Sequence, residues 1–221
     1  MRPRGQVALD GRFARLRQAG MRLSSLCVYC GAAAGRDPTI AADAERFGRL
    51  MTEAGVRLVY GGGSVGLMGI LARSVLRHGG LVTGVIPQFL KDRELMLTQV
   101  SEFIITADMH ERKRIMFDRS DAFLALPGGI GTLEETVEMM TWAQLGQHTK
   151  PILLANLNGF WNPLVALFAH MDKEGFVHEP PRPGRLYDVA DSVEAILPAI
   201  ERLLADQGPA KAAAKSSAEL M

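Results

Sequence analysis

The stretch LPGGIGTLEE, residues 126–135, places three glycines, a threonine and two adjacent carboxylates between an apolar run and a pattern with helical spacing. Gly128, Gly129 and Gly131 leave backbone amides uncovered at the start of the predicted helix. A helix N-terminus carries about half a unit of positive charge and free N–H donors, so it readily binds a phosphate group. Thr132 adds a hydroxyl group. Because no G-K-[ST] follows, the ligand expected here is a monophosphate rather than a triphosphate.

Glu135 has two interpretations. Thr132 and Glu135 have the spacing of a capping box, in which the acid bonds back to the amide of the cap residue. However, Glu134 and Glu135 together put negative charge beside the predicted phosphate loop, which a site that only binds anions would avoid. The spacing alone favours the cap. The charge favours a carboxylate that faces a part of the substrate that becomes positive.

Arg112 is the second candidate for chemistry, in the basic stretch ADMHERKRIMFDRS. It precedes Ile115 and Met116 by three and four positions, so it lies on the face that the helix turns toward the protein. A buried arginine requires an anionic partner, either an acid such as Glu135 or a ligand phosphate. The alternative is a solvated basic helix face, which fits Arg114 better.

A second glycine-rich stretch, VYGGGSVGLMG, follows an earlier predicted strand. Gly61, Gly63 and Gly66 match the G-x-G-x-x-G spacing of dinucleotide-binding proteins, but the next strand, VTGVIP, lacks the acid that would hold a ribose. The alternatives are a loop that contacts a nucleotide and a tight strand-to-helix turn. We favour the loop that contacts a nucleotide, with Gly62 and Gly63 among its contacts.

The overall composition narrows the class of protein. At 221 residues and 48% hydrophobic, the chain can bury one substantial core. Its net charge of +1 gives no general attraction for nucleic acid or an anionic membrane, so a small molecule is the expected partner. Without an apolar run long enough for a bilayer or a secretory signal, a cytoplasmic location is expected. Cys27 and Cys30 are interpreted as small, reduced residues of the first strand rather than a redox or metal site.

Short apolar runs alternate with helical patterns, which predicts a single-domain α/β fold: a doubly wound, mainly parallel, Rossmann-like sheet with helices on both faces. The predicted strands are 23–29, 56–60, 81–86, 101–105, 121–126, 151–155 and 186–189. The predicted helices are 38–54, 66–77, 109–119, 132–145, 162–173 and 192–205. Residues 1–21 are expected to be a flexible basic extension, 22–207 the nucleotide-binding domain, and 208–221 a disordered tail.

Over residues 22–205 the sequence resembles the Lonely Guy family of cytokinin riboside 5′-monophosphate phosphoribohydrolases. The resemblance is carried by CVYCGA, YGGGSVGLMG, GVIP with a later RE, MHERK and PGGIGTLEE, in family order. It implies hydrolysis of the N-glycosidic bond of a nucleoside 5′-monophosphate, without a metal or organic cofactor. The family's catalytic arginine and glutamate fall on Arg112 and Glu135. Together with the glycine loops, it predicts substrate contacts at Glu94, Lys113, Gly62, Gly63, Gly128, Gly129, Ile130, Gly131, Thr132, Leu133, Glu134 and Thr141.

The resemblance also implies a homodimer, with a hexamer as the alternative. The predicted interface lies near TVEMMTWAQLG, whose apolar residues cover more than one helix face, although a deeply buried helix would show the same pattern. A non-hydrolytic carrier like the molybdenum cofactor carrier is the alternative function. A lysine decarboxylase, the label that many family members carry, would need a lysine bound to pyridoxal phosphate, and Lys113 alone of six lysines lies in a motif.

Overall fold

The computed structural model describes residues 23–91, 97, 99–177 and 186–206. The predictions for the extension 1–21, the tail 208–221 and Glu94 fall outside the described residues. Within them, none of the helices is both long and apolar enough to cross a bilayer.

Seven parallel strands form one sheet within the described part of the chain, which confirms the predicted architecture. In space their order is β4-β3-β2-β1-β5-β6-β7. The strands are β1 (Ser25–Tyr29), β2 (Arg57–Tyr60), β3 (Val82–Pro87), β4 (Glu102–Thr106), β5 (Ala122–Ala125), β6 (Ile152–Ala155) and β7 (Asp188–Ala190). The chain builds outward from β1 to β4, then returns to the other side of β1 with β5. In such sheets ligands bind beyond the carboxyl ends of the strands at this point of reversal, here between β1 and β5.

Helices cover both faces of the sheet. They are α1 (Pro38–Glu53), α2 (Gly66–Arg77), α3 (Gln88–Lys91), α4 (Met109–Asp118), α5 (Ile130–Gln144), α6 (Asn162–Lys173) and α7 (Val193–Asp206). Helices α1, α2 and α7 pack on one face, whereas α4, α5 and α6 lie on the other. The predicted bounds agree with the observed ones to within two residues. The short helix α3 was not predicted, since its four residues are too few for a helical period to be visible.

The first helix shows how the sequence determines a local structure. The carboxylate of Asp37 accepts a hydrogen bond from the amide of Thr39 (2.9 Å), and Pro38 occupies the first turn, where it loses no intrahelical bond. Ile40, Ala44, Phe47 and Met51 are buried along one face. The predicted cap and apolar face of α1 are therefore confirmed.

Candidate active site

The candidate site lies where the order of the strands reverses. The amide of Gly31, just after β1, donates a hydrogen bond to the carbonyl oxygen of Pro127, just after β5 (3.1 Å). This bond joins the two turns at the carboxyl edge of the sheet. Helix α5 begins three residues after Pro127, so its N-terminus faces the same edge.

Gly129 and Gly131 open the N-terminus of α5 to solvent. A Cβ atom at either position would meet no atom within 4 Å, and Ile130 between them is 81% exposed. The amide of Leu133 donates to Gly129 (3.0 Å), while the amides before it lie in the first turn, where no intrahelical acceptor exists. Uncovered donors at a positive helix end suit an anion.

Gly128, unlike Gly129 and Gly131, is in close contact with other protein atoms. A Cβ atom there would lie 2.1 Å from Oγ1 of Thr132 and 2.9 Å from the nitrogen of Gly31. The glycine therefore lets α5 pack closely on the turn after β1. Thr132 itself is buried at this contact.

The capping-box interpretation of Thr132 and Glu135 is wrong. Gly129 is the cap of α5, and Thr132 is already the third residue of the helix. The helix begins two residues earlier than predicted because glycines, which are poor helix formers, occupy its first turn and hide its start in the sequence. Glu135 is thus a residue of the second turn and is free of a capping role.

Arg112 is buried, as the sequence predicted, and it faces Glu135. Its helix, α4, begins at a cap in which Asp108 accepts from the amide of Glu111 (2.8 Å). The Nε of Arg112 donates to the carbonyl oxygen of Val85 (3.2 Å), in the second half of β3. Its Nη2 lies 3.5 Å from Oε1 of Glu135, and the two side chains are only 9% and 12% exposed. The expected anionic partner is therefore a protein carboxylate.

The pKa of the Glu135 carboxyl lies near neutrality. Burial raises its pKa to about 7, Arg112 opposes this rise, and Glu134 adds to it. Burial disfavours the charged form because the surroundings solvate a carboxylate less well than water does. A carboxylate with this pKa can accept and release a proton at physiological pH.

Lys113 forms ion pairs with two carboxylates of α5. Its Nζ donates to Glu134 (2.7 Å) and Glu138 (3.0 Å), and the lysine is buried. Burial acts to lower the pKa of Lys113, but the two hydrogen bonds outweigh it and raise the pKa. The ammonium therefore joins α4 to α5 and partly neutralises two acids beside Glu135. Its predicted contact with substrate stays a prediction.

The remaining predicted contacts do not all converge on this edge. Thr141 is exposed, donates to Val137 (2.8 Å), and stands about 14 Å along α5 from Thr132 at 1.5 Å per residue. Gly62 and Gly63 are buried. Gly62 has a positive φ of 81°, and a Cβ atom built on it would lie 3.3 Å from Cβ of Ile86 and 3.5 Å from Cε2 of Phe103. Leu133 is half-buried behind the open amides.

Two polar groups near Glu135 were missed by the sequence analysis. Tyr29 is buried at the end of β1, and neither its hydroxyl nor Oε2 of Glu138 has a hydrogen-bond partner among the described residues. Burial, with Cys27 and then Glu135, raises the pKa of Tyr29 well above its usual value. The spacing of Glu138, three residues after Glu135, was the one available signal.

The cysteines are inert thiols in this setting. Cys27 and Cys30 are both buried and unbonded to each other. Burial raises the pKa of Cys27 to about 12 and that of Cys30 higher still. Since the thiolate is the reactive form, neither is a nucleophile at neutral pH, as the sequence analysis expected.

Comparisons with known proteins identify the family. The family model described as "Possible lysine decarboxylase" matches residues 68–200. The chain is 49% identical over 156 residues to "Probable cytokinin riboside 5′-monophosphate phosphoribohydrolase LOGL1" of Oryza sativa subsp. japonica, covering 71% of this chain and 70% of the relative. A cytokinin riboside 5′-monophosphate phosphoribohydrolase of Arabidopsis thaliana is 46% identical, with 71% and 72% covered. The chain belongs to the Lonely Guy family.

The Lonely Guy assignment, predicted from the motifs, is thus confirmed, and solved structures confirm the fold. The molybdenum cofactor carrier protein of Chlamydomonas reinhardtii superposes with a TM-score of 0.62 at 24% identity, covering 83% of this chain and 99% of the carrier. The molybdenum cofactor binding protein of Rippkaea orientalis gives a TM-score of 0.60 at 23% identity. At such identities the likeness extends to the fold and not to the ligand.

Proposed function

We propose that this protein hydrolyses the N-glycosidic bond of a nucleoside 5′-monophosphate, releasing the free base and ribose 5-phosphate. The observation that carries this proposal is the buried Arg112–Glu135 pair, one helical turn beyond the open N-terminus of α5. The names of the relatives support it, because they describe phosphoribohydrolases of cytokinin riboside 5′-monophosphates.

The 5′-phosphate binds at the uncovered amides of Gly129 and Gly131. These groups donate hydrogen bonds and add the positive end of the helix dipole. From Gly131 to Glu135 the helix rises about 6 Å, a distance that a ribose 5-phosphate can span between its phosphate and its anomeric carbon. A phosphate held at the helix start therefore brings the sugar to the carboxylate.

Glu135 acts on the sugar. When the bond from C1′ to the base nitrogen breaks, the sugar becomes oxocarbenium-like, and an ionised carboxylate stabilises that positive charge. The departing base takes up a proton from solvent, and water then adds its oxygen to C1′ and gives a proton to Glu135, which returns it to solvent. The pKa of about 7 allows Glu135 to be ionised for the first step and to accept the proton in the second.

Arg112 keeps the carboxylate in place. Its guanidinium pairs with Glu135 and is fixed in turn by the carbonyl of Val85, so the acid has little freedom to rotate away. Because the phosphate binds remotely from the reacting bond, its binding energy acts on the sugar, and a nucleoside that lacks the phosphate should be a poor substrate.

Neither a decarboxylase nor a carrier is favoured by these contacts. A lysine that forms a Schiff base must lose its proton, but Lys113 is ion-paired with Glu134 and Glu138, which hold it charged. A carrier needs to bind its ligand and has no need of a buried carboxylate with a pKa near neutrality. The absence of a cofactor requirement stays a prediction.

We propose that the protein works as a homodimer. Met139 and Met140 are buried within one chain, whereas Thr141 and Leu145 of the same stretch are exposed, so the predicted interface near α5 stays a prediction. Helix α6 offers a better surface, because none of its residues is buried and Leu167 and Met171 are exposed, with Phe176 beyond its end 78% exposed. In a homodimer, the exposed Thr141 of one subunit would contact the active site of the other subunit. The hexamer and the cytoplasmic location stay predictions.

The test is release of base. Purified protein is incubated with AMP, isopentenyladenosine monophosphate, GMP and CMP, and the free base is followed by chromatography. We expect release from a purine monophosphate and at least about 100-fold less from the matching nucleoside. No release from any of these nucleotides would overturn the proposal.

The variant Glu135→Gln tests the role of the acid. Turnover should fall by about 1,000-fold or more, because an amide can neither stabilise the cation as well nor accept a proton, while calorimetry should still show AMP binding. Glu53→Gln, an exposed carboxylate at the end of α1 on the other face of the sheet, is the matched control and should keep wild-type activity. Retained turnover in Glu135→Gln would remove Glu135 from the mechanism.

A further inference from the structure

Gly61, at the end of β2, lies directly against the guanidinium of Arg112. A Cβ atom built on Gly61 would lie 2.3 Å from Nη2 and 3.5 Å from Cζ of Arg112, and 3.3 Å from Sδ of Met68. Real Cβ atoms do not approach other atoms within 3 Å, so the space that a side chain would fill is already occupied by the arginine.

The contact involves the atom of Arg112 that matters most for the site. Nη2 is the nitrogen that faces Glu135, at 3.5 Å. The opposite edge of the group is held by the bond from Nε to Val85 (3.2 Å). The guanidinium is thus confined between Gly61 just after β2, Val85 within β3 and the second turn of α5.

We propose that Gly61 is a positioning residue for Arg112: its missing side chain leaves the room in which the guanidinium faces Glu135. This role differs from the nucleotide contact that the motif suggested, because Gly61 is buried and the position of its missing Cβ atom faces the arginine. The consequence for turnover depends on the proposed function, whereas the geometric part does not.

The pKa of Glu135 depends on the position of Arg112, because the charges around the acid shift this pKa. From α4, Arg112 and Lys113 lower the pKa of Glu135; from α5, Glu134 and Glu138 raise it. From β1 and the residue after it, the titratable groups that sense Glu135 are Cys27, Tyr29 and Cys30, which are uncharged at neutral pH. Arg112 is the largest of the charge effects. A guanidinium pushed away from Glu135 should therefore raise the pKa of this acid further.

The variant Gly61→Ala tests the proposal. The added methyl group meets the flexible tip of a side chain rather than backbone, so the protein should fold with a displaced guanidinium. We expect kcat to fall about 10- to 100-fold, since a misplacement of about 1 Å in a catalytic group has this effect. KM for the nucleotide should change less than threefold. The acid limb of the pH–rate profile should move toward higher pH, in the direction of Arg112→Ala.

A double-mutant cycle separates this role from the alternatives. If Gly61 acts through Arg112, then adding Gly61→Ala to Arg112→Ala should cause no further loss of kcat. An additional rise in KM in that background would show a direct nucleotide contact and overturn the proposal. A full additive loss of kcat, or a large fall in the melting temperature of Gly61→Ala alone, would show a general structural role and also overturn it.

A measurement without substrate distinguishes this inference from the proposed function. The pKa of the Glu135 carboxyl is measured by ¹³C NMR, assigned with Glu135→Gln, in the wild type, Gly61→Ala and Arg112→Ala. We expect the value in Gly61→Ala to lie above the wild type. An unchanged value would overturn the positioning role even if the enzyme is active, and a raised value would support it even if no nucleotide is hydrolysed.

Discussion

The two glycine-rich stretches look alike in sequence but differ in what surrounds their glycines. The first glycine loop (residues 61–69) includes the first turn of α2. Protein atoms lie where side chains of its glycines would be: Arg112 against Gly61, the backbone of Ala32 against Gly66, and the carbonyl of Ser64 against Gly69. In the second glycine loop (residues 127–132), Gly129 and Gly131 face open space.

This difference shows that glycine can serve close packing or ligand access, and composition does not tell which. Both needs arise from the absence of a Cβ atom, which allows a backbone to come close to another group. In the first glycine loop that group is part of the protein, so substitution should act on stability or on the placement of Arg112. In the second loop Gly129 and Gly131 adjoin free space beside uncovered amides, so their substitution should act on binding, whereas Gly128 packs against Thr132.

The largest expected effect is at Gly66 in the first glycine loop. An alanine Cβ there would lie 2.3 Å from the carbonyl carbon of Ala32, and the residue has a positive φ of 59°. We expect Gly66→Ala to lose about 3 kcal/mol or more, because backbone cannot move aside as a side chain can. Thermal unfolding measures the loss, on the order of 10 °C for a chain of this size.

Gly79→Ala is the matched control for this loss. Gly79 also has a positive φ, 82°, but no atom lies within 4 Å of its Cβ position. This variant should show only the conformational cost of about 1–2 kcal/mol. Equal losses in the two variants would mean that the contact with Ala32 is unimportant, and the contrast between the loops would be weakened.

A smaller effect, on binding alone, is expected at Gly131 in the second glycine loop. Side chains of a helix tilt toward its N-terminus, so the methyl group of Gly131→Ala would project toward the proposed phosphate. We expect the Kd for AMP to rise about tenfold or more, equivalent to about 1.4 kcal/mol. The melting temperature should stay the same or rise slightly, because alanine is favoured over glycine in a helix. An unchanged Kd by calorimetry would place the phosphate elsewhere.

The smallest effect concerns the acids that follow the second glycine loop. Glu134 raises the pKa of Glu135, so Glu134→Gln should lower it from about 7. Activity requires ionised Glu135, which exists above this pKa, and the acid limb of the pH–rate profile should therefore move to lower pH. The variant should be more active than the wild type at pH 6. A limb that does not move would show that another group controls it.

The fold could be predicted from the sequence because the patterns that indicate it involve residues that are close together in the chain. The alternation of short apolar runs with helical patterns, the cap at Asp37 and the apolar face of α1 each depend on neighbouring residues, and all were confirmed. The pairing of Arg112 with an acid was also predictable, since a charge on the inner face of a helix must be compensated. The start of α5 was misplaced, because glycines conceal a helix terminus.

The sequence by itself determined the order of strands and helices, the family, and the two residues expected to carry the chemistry. Only the tertiary structure decided that Glu135 is not a cap, that Lys113 is held by Glu134 and Glu138, and which glycines face protein or open space. The physical reason is distance along the chain. These properties depend on groups from β1, β2, β3, α4 and α5 that meet only when the sheet brings their ends together.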